Sequence, residues 1–484
     1  MSRVALGIVG LYLAVTLAIG WYGYIRTGST PAEYFLAGGT LGRVVFPLTM
    51  FATLMSSFIF LGSAGWGYQH GMGWFALLGI EAIAGIPLAL IGIQVWRVGR
   101  KRGVLTPTEL IGDAYDSDAV KLAVLLFQFV WSLPYLAIQA MGGGLLFRSI
   151  SGGAIGFTEG AILITVVTGI YLTIGGLRSV AWSDVLQGVA VVVLLLAAVG
   201  YLAPALDPAE TTTRLAAETD LLTPSGELGF FTPGVWLSFL LMNTMAIIAY
   251  PQMFQRFLAA EDERAFRSLL VWWPVMVVVA ALVPVLLGVW GTAAAPGLED
   301  PDSILPVLLE TYAPEWIFGI VMGGAVAAMM STADSLVLTL SSIVSRDLYR
   351  AHLAPDASDA QETWVGRAVA VVLLVCGLAI ALVQHGTIID LAIYFIQGNA
   401  LLFPAFVGAL YWWRASAWGA LASVLSGQAY FLAAQFGPAP AFGFLPFVPA
   451  LVVACLALVA GSLLSPEPKT TTLLEETDAM KGAD

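Results

Sequence analysis

Long apolar stretches alternate with short polar segments along most of the chain. Each stretch holds about 20 residues with few or no charges, which is the length that an α-helix needs to cross a bilayer. The pattern predicts an all-α membrane protein with about thirteen transmembrane helices, at residues 4–25, 44–68, 73–97, 120–147, 157–176, 180–203, 233–256, 267–292, 315–345, 364–384, 387–412, 416–436 and 442–464.

The composition favours one membrane domain over several soluble ones. Apolar residues make up 59% of the chain and charged residues only 11%, whereas soluble domains carry roughly 25% charged residues. We therefore predict a single transmembrane domain over residues 1–465. The polar end of the chain, residues 466–484, is predicted to be a disordered cytoplasmic tail.

Basic residues indicate how the domain lies in the cell membrane. If the N-terminus is outside, the cytoplasmic segments hold all but three of the 20 Lys and Arg residues, the exceptions being Arg3, Arg148 and Arg214. Cytoplasmic loops of membrane proteins are enriched in Lys and Arg, so we predict an external N-terminus and a cytoplasmic C-terminus. This count assigns Arg256 to the cytoplasmic side.

A polar segment interrupts the ninth apolar stretch. On a helix, Ala328, Ser331, Thr332 and Ser335 share one stripe, and Asp334 lies at its margin. All the polar atoms are oxygens, which suit a hard cation better than a soft metal. The alternative is that the hydroxyls bond to their own backbone or pack against a neighbouring helix.

Two acidic residues in these stretches also need an explanation. Burying Asp334 in a bilayer costs about 2.5–3.5 kcal/mol, so a functional role is the default interpretation. We expect no basic residue at a comparable depth, which argues against a structural ion pair. Asp184 lies about one turn inside the sixth stretch, where it is either solvated near the interface or a second cation ligand or proton carrier.

Hydroxyls on one stripe are too few to bind an ion without water. Additional backbone carbonyls require a broken helix that lines a cavity. The second stretch is the candidate, because residues 52–57 interrupt an apolar run with small and hydroxylated side chains. Ordinary packing through small residues is the competing explanation.

Four motifs resemble the sodium/solute symporter family, which includes bacterial proline, pantothenate, sialic-acid and sugar symporters. They occur in the family's order and are YFLAGGTLG (34–42), YLTIGGLRSVAWSDVLQG (171–188), YPQMFQRFLAA (250–260) and MMSTADSLVLTLSSIVSRDLY (329–349). The resemblance implies the inverted five-helix repeat of the leucine transporter, with the first and sixth core helices broken. The ten-helix core would span 44–412, with one extra helix before it (4–25) and two after it (416–464).

The resemblance also implies ligands for Na⁺. The primary ion would be bound by the carbonyls of Ala52, Met55 and Ala328 and by the hydroxyls of Ser331 and Thr332. A second cation or proton site would use Asp184, Asp334 and Ser335. Two-ion members usually have Ser where this chain has Asp334, so the number of Na⁺ ions stays open.

The same resemblance gives a weaker prediction for the substrate. Asn243 matches a position that touches the substrate in sugar-transporting relatives, and the other candidates are Thr53, Ser56, Gln128 and Gln397. The lysine of the sugar branch and the central arginine of the sialic-acid branch have no counterpart here. We therefore expect a small neutral or zwitterionic organic solute.

The predicted function is Na⁺-coupled symport into the cell by alternating access. The alternatives are a proton-coupled symporter that uses Asp184 or Asp334 and, less favoured, a membrane sensor of the same fold. The sequence has no phosphate-binding loop for an ATP-driven pump and no zinc-protease or serine-hydrolase motif, so we predict that it is not an enzyme. Lipid is the expected surrounding, no nucleic-acid partner is expected, and a monomer is the predicted oligomeric state.

Overall fold

The computed structural model describes residues 2–26, 30–74, 83–383 and 386–465. These residues form helices joined by short connections, and the β pairing among them is one isolated bridge between Leu41 and Ala260. The helices of the N-terminal half are α1 (Arg3–Arg26), α2 (Pro31–Leu36), α3 (Val45–Leu54), α4 (Phe58–His70), α5 (Gly85–Arg102), α6 (Pro107–Tyr115), α7 (Asp118–Ile150), α8 (Phe157–Leu206) and α9 (Pro208–Glu218).

The C-terminal half continues in the same way. Its helices are α10 (Pro233–Ala249), α11 (Pro251–Ala259), α12 (Glu263–Ala294), α13 (Ile304–Tyr312), α14 (Glu315–Leu353), α15 (Asp359–Val383), α16 (Ile388–Ala400), α17 (Phe403–Tyr411), α18 (Ala417–Phe436) and α19 (Phe447–Leu464). The last part of α14, Val344–Leu353, is a π-helix. Two short 3₁₀ turns, Ala37–Gly39 and Pro301–Ser303, lie in connecting segments.

Many of these helices can cross a membrane. Within the described ranges, 8 are long and apolar enough, or up to 10 when each of two bent pairs is counted as one span. Every predicted stretch overlaps a helix or a helix pair, although residues 75–82 of the third stretch lie outside the described residues. The predicted tail, 466–484, also lies outside them. The sequence pattern did not predict α9 and α13, two short helices that lie in the segments 204–232 and 293–314 between predicted stretches.

Two spans are broken in the middle. The axes of α3 and α4 differ by 60°, and those of α10 and α11 by 49°. At the first break Met55 leaves the helical region, with φ −74° and ψ 105°. At the second, Tyr250 has ψ 123° and precedes Pro251, whose ring disfavours a helical conformation in the residue before it. The first break lies in the stretch where the sequence predicted one, and the second lies in the seventh stretch, the sixth core helix that the resemblance implied to be broken.

The fifth and sixth predicted stretches join in one long helix, α8, with a sharp kink. Gly176 interrupts it with φ 63° and ψ −170°, a conformation that glycine adopts without a steric penalty. A Cβ atom at this position would lie 2.7 Å from Cδ2 of Tyr34. The kink therefore needs glycine both for its dihedral angles and for its space.

The N-terminal helix α1 is an integral part of the bundle. It packs against α8 and α14, and small residues bring the helices close together. A Cβ atom on Gly20 would meet Tyr171, and one on Gly319 would meet Ala5. The Nε2 atom of Gln187 donates to the hydroxyl of Tyr12 over 2.8 Å, so α1 also touches the polar face of α8.

A connecting segment between α12 and α13 anchors α16. The Oδ2 atom of Asp302 accepts a hydrogen bond from the amide of Ile388 at 2.9 Å. Burial raises the pKa of Asp302 to about 7, the bond from Ile388 opposes that shift, and the neighbouring Asp300 and Asp390 add to it. The segment also touches α4, because a Cβ atom on Gly65 would lie 2.5 Å from Asp302 Oδ1. The segment thus ties α4 to the start of α16.

Candidate functional site

The first break brings backbone carbonyls to the hydroxyl stripe of α14. The Oγ atom of Ser331 lies 2.8 Å from the Ala52 carbonyl oxygen, 3.3 Å from that of Met55 and 3.0 Å from that of Ala328. All four residues are buried. The structure therefore brings together four of the five residues that the resemblance implied as Na⁺ ligands.

The fifth predicted residue, Thr332, faces the same place. Its Oγ1 atom is 2.9 Å from the Met55 carbonyl oxygen and 3.0 Å from that of Thr53. The Thr53 carbonyl was not predicted as a ligand and adds another oxygen. Each hydroxyl donates to a carbonyl here, and the same hydroxyl oxygen has lone pairs to offer a cation. Carbonyl and hydroxyl oxygens carry no formal charge, so this oxygen cluster is electrically neutral.

Side chains provide hydrogen-bond partners for the backbone amides of the unwound segment at the first break. Gln139 on α7 accepts hydrogen bonds from the Ser57 amide and the Ser57 hydroxyl, each over 3.2 Å. The Oγ atom of Ser56 accepts from the Phe58 amide over 3.1 Å and so caps α4. Buried backbone groups must be paired in a membrane protein. The break is therefore supported by specific partners.

A buried ion pair lies next to the oxygen cluster. The Arg256 Nη2 atom is 2.9 Å from Asp184 Oδ2, and both side chains are fully buried. Arg256 also donates from Nε to Thr49 Oγ1 over 3.0 Å and from Nη2 to Ser335 Oγ. The Thr49 hydroxyl donates to Asp184 Oδ2 as well. We call Thr49, Asp184, Arg256 and Ser335 the arginine cluster, and it joins α3, α8, α11 and α14.

The arginine cluster corrects two predictions. Arg256 was assigned to the cytoplasmic segments, and no basic residue was expected at the depth of the buried acids. The reason is the second break: it starts a new helix, α11, which carries Arg256 back into the bundle. A signal was present in the sequence, because Arg256 stands between Gln255 and Phe257 in a mainly apolar run, and a buried Asp184 needs a positive partner.

Asp334 lies next to Ser335 of the arginine cluster. Its side chain is fully buried. The Oδ1 atom is 3.1 Å from Ser335 Oγ, and Oδ2 has no hydrogen-bond partner in the described ranges. Ser335 Oγ is also 2.6 Å from the Ser331 carbonyl and 3.2 Å from Thr53 Oγ1. Ser335 thus connects the two clusters.

A small cavity lies between the two breaks. Aromatic rings form part of its surroundings, since Tyr135 and Tyr250 both stack on Phe395, with ring centroids 4.2 Å and 4.6 Å apart. The sequence analysis missed these three residues; Tyr135 lies seven residues after Gln128, which places both on one helix face. The lining residues are Leu54, Phe58, Ile59, Tyr135, Asn243, Ile247, Tyr250 and Ile396.

Three of the predicted substrate residues lie at or beside this cavity. Asn243 lines it, and its Nδ2 atom has no partner among the residues described. Ser56 Oγ is 3.0 Å from the hydroxyl of Tyr135. Gln128 donates from Nε2 to the Ala249 carbonyl at the second break over 3.1 Å.

The other two predicted substrate residues bond elsewhere. The Thr53 hydroxyl is directed to Ser335, as described above. Gln397 accepts a hydrogen bond from the Phe447 amide over 3.2 Å and so faces α19. The sequence could not distinguish these two from the others, because all five are polar residues in apolar stretches.

Comparisons with known proteins agree on the class of protein. The model of the sodium:solute symporter family matches residues 34–427. The sodium/pantothenate symporter of Escherichia coli K12 is 28% identical over 474 residues, covering 96% of this chain and 97% of the relative. The osmoregulated proline transporter of Bacillus subtilis 168 is 27% identical over 485 residues, covering 95% of this chain and 94% of the relative.

Solved structures agree on the fold. A substrate-bound, outward-open Na⁺-coupled sialic acid symporter, in which a novel Na⁺ site was described, superposes with a TM-score of 0.82 at 20% identity. The alignment covers 97% of this chain and 99% of that one. The nucleobase-cation-symport transporter Mhp1 in a closed conformation gives a TM-score of 0.61 at 13% identity, covering 93% and 98%.

Proposed function

This chain belongs to the sodium:solute symporter family, and from that premise we propose that the oxygen cluster between α3 and α14 binds the Na⁺ that drives transport. Membership makes the protein a multi-pass membrane transporter that uses Na⁺ as its coupling ion, and not an enzyme. The observation that carries the proposal is the approach of the Ser331 and Thr332 hydroxyls to within 3.3 Å of the Ala52 and Met55 carbonyl oxygens at the first break. The proposed ligands are the oxygens of Ala52, Met55, Ala328, Ser331 and Thr332.

The proposed cargo is a small neutral or zwitterionic organic solute that binds in the cavity between the breaks. Apolar and aromatic side chains supply most of the lining, Asn243 supplies an amide, and the residues described around the cavity include no charged side chain. Ser56 and Gln128 are proposed as further contacts. Thr53 and Gln397 are left out because their side chains bond to Ser335 and to α19.

Na⁺ binding and solute binding would be coupled because the first break borders both proposed sites. A bound Na⁺ would hold α3 against α14 and fix the break that borders the cavity, so the solute would bind better with Na⁺ present. By reciprocity the solute would tighten Na⁺ binding by the same factor. Each positive charge that moves inward across 100 mV contributes about 2.3 kcal/mol, before any concentration gradient.

We further propose the architecture that the resemblance implied. It has thirteen spans, an inverted repeat in the core 44–412, flanking helices at 4–25 and 416–464, and one transporter domain over 1–465 that acts as a monomer. The N-terminus is placed outside and the C-terminus in the cytoplasm. That orientation no longer uses Arg256, but the other basic residues of the predicted cytoplasmic segments still favour it.

Reconstitution into liposomes tests the proposed function. A thermal-shift screen with and without Na⁺, beginning with pantothenate and proline because of the relatives' names, identifies the solute. We expect an inward Na⁺ gradient to drive its accumulation. Accumulation driven by a pH gradient without Na⁺ would instead support the proton-coupled alternative, which uses Asp184 or Asp334.

Replacing Asn243 tests the proposed cavity. We expect Asn243→Ala to raise the KM for the solute about 5- to 10-fold, because one hydrogen bond contributes about 1 kcal/mol. The Na⁺ concentration for half-maximal uptake should change little. Gln397→Ala is the matched control, since that amide faces α19. An equal effect of both substitutions on KM would argue against the cavity as the binding site.

A further inference from the structure

The side chain of Gln139 accepts a backbone hydrogen that an unbroken helix would use across the first break. In an α-helix the Ser57 amide would donate to the Thr53 carbonyl, four residues earlier. Here it donates to Oε1 of Gln139 on α7 over 3.2 Å. The Thr53 carbonyl instead accepts from Thr332 Oγ1 over 3.0 Å, in the oxygen cluster. The Gln139 oxygen and the Thr53 carbonyl are therefore alternative acceptors for the same buried hydrogen.

The acceptor oxygen of Gln139 is held in one orientation. Its Nε2 atom donates to the Tyr135 carbonyl, one turn earlier on α7, over 3.0 Å, which leaves Oε1 to face Ser57. The helix also lies close to the break, because a Cβ atom on Gly142 would be 2.8 Å from Ser57 Cβ and 2.8 Å from Met329 Cε of α14. Gln139 is only 3% exposed, so little water competes for its oxygen.

Two residues of α7 contact the two serines of the break separately. Tyr135 lines the cavity, and its hydroxyl lies 3.0 Å from Ser56 Oγ. Gln139 bonds to Ser57 and is not among the described residues that line the cavity. Loss of the Gln139 oxygen should therefore affect the conformation of the break without removing a contact to the solute.

We propose that Gln139 is a positioning residue for the Na⁺ site. By accepting the Ser57 amide hydrogen, it keeps the first break open before Na⁺ arrives and leaves the Thr53 and Met55 carbonyls facing Thr332. Preorganisation of this kind strengthens binding because the ion does not have to rearrange the chain. The inference rests on the proposed function, because it takes the oxygen cluster as the Na⁺ site. Gln139 itself does not touch the ion.

Binding of radioactive Na⁺ to the purified full-length protein in detergent, without solute, tests the proposal. Gln139→Met keeps the length of the side chain but removes the acceptor, and we expect the Kd for Na⁺ to rise about 10-fold, as for the loss of one buried hydrogen bond. Gln139→Glu keeps an oxygen acceptor and should restore most of the affinity. Gln397→Met is the matched control, because Gln397 also accepts from a backbone amide, that of Phe447, over 3.2 Å, but at α19. It should leave the Kd unchanged.

A folded Gln139→Met variant with wild-type affinity for Na⁺ would overturn the proposal, and so would an equal loss in Gln139→Met and Gln139→Glu. If Gln139→Met does not fold, hydrogen–deuterium exchange of the wild-type protein without Na⁺ decides. We expect the Ser57 amide to be protected, and rapid exchange there would contradict a break that is held open in advance. Unchanged Na⁺ binding in Ser331→Ala/Thr332→Ala would refute the proposed Na⁺ site and this inference with it. Loss of binding in that double variant, with normal binding in Gln139→Met, would refute only the role of Gln139.

Discussion

Replacing Ser331 or Thr332 by Ala is expected to raise the Na⁺ concentration for half-maximal uptake about 10- to 100-fold. Each substitution removes a hydroxyl oxygen from the proposed ligands, and a polar contact with a charged group contributes about 1.5–3 kcal/mol. The double variant should lose Na⁺ stimulation altogether. Initial uptake rates measured over a range of Na⁺ concentrations give the effect.

The control for this pair lies on the same helix. Ser341 is equally buried, but its hydroxyl bonds to the Leu338 carbonyl of its own helix over 2.8 Å. Ser341→Ala should therefore leave the Na⁺ dependence unchanged. If both Ser331→Ala and Thr332→Ala behaved like this control, the ion would have to bind elsewhere.

Removing one partner of the buried ion pair is expected to destabilise the protein strongly. Asp184→Asn leaves the Arg256 guanidinium buried without its carboxylate, which typically costs about 3–5 kcal/mol. The double variant Asp184→Asn/Arg256→Gln should recover most of this loss because no uncompensated charge of the pair remains. Thermal unfolding of the four proteins in detergent without Na⁺ gives the coupling between the two positions.

An exposed pair provides the comparison for this cycle. Arg97 and Glu263 are about one third exposed, and removing either should cost at most about 1 kcal/mol. Additive losses in the Asp184 and Arg256 double variant would mean that the two charges do not stabilise each other. Non-additivity confined to the buried pair would show that Asp184 and Arg256 stabilise each other in the folded protein.

Much of the architecture follows from hydropathy, because a span needs a long apolar stretch whatever its neighbours are. The broken helix and the hydroxyl stripe were also predictable, since small and hydroxylated residues stand out in an apolar run. The partners of the buried charged residues could not be predicted from the sequence. In the sequence, Arg256 looks like a basic residue at the end of a span. Only the fold shows that it lies on α11, after the second break, and that Asp184 faces it.

The substrate residues show a second limit of sequence reasoning. A polar residue in an apolar span must face some partner, but the sequence does not say which one. Asn243 faces the cavity and Gln397 faces α19, although both are amides in similar surroundings along the chain. The aromatic stack was missed because Tyr135 and Phe395 come from separate helices and Tyr250 comes from the second break.

The hydrogen bonds between Gln139 and Ser57 limit which substitutions the protein can accept during evolution. The amide hydrogen of Ser57 has its acceptor on another helix, α7, rather than within its own chain segment. A substitution at position 139 would leave that buried amide hydrogen without its acceptor, whereas one at position 57 would remove only the hydroxyl donor and keep the amide. Among divergent descendants of this chain, position 139 should accordingly keep a side chain that accepts a hydrogen bond, whatever residue stands at position 57.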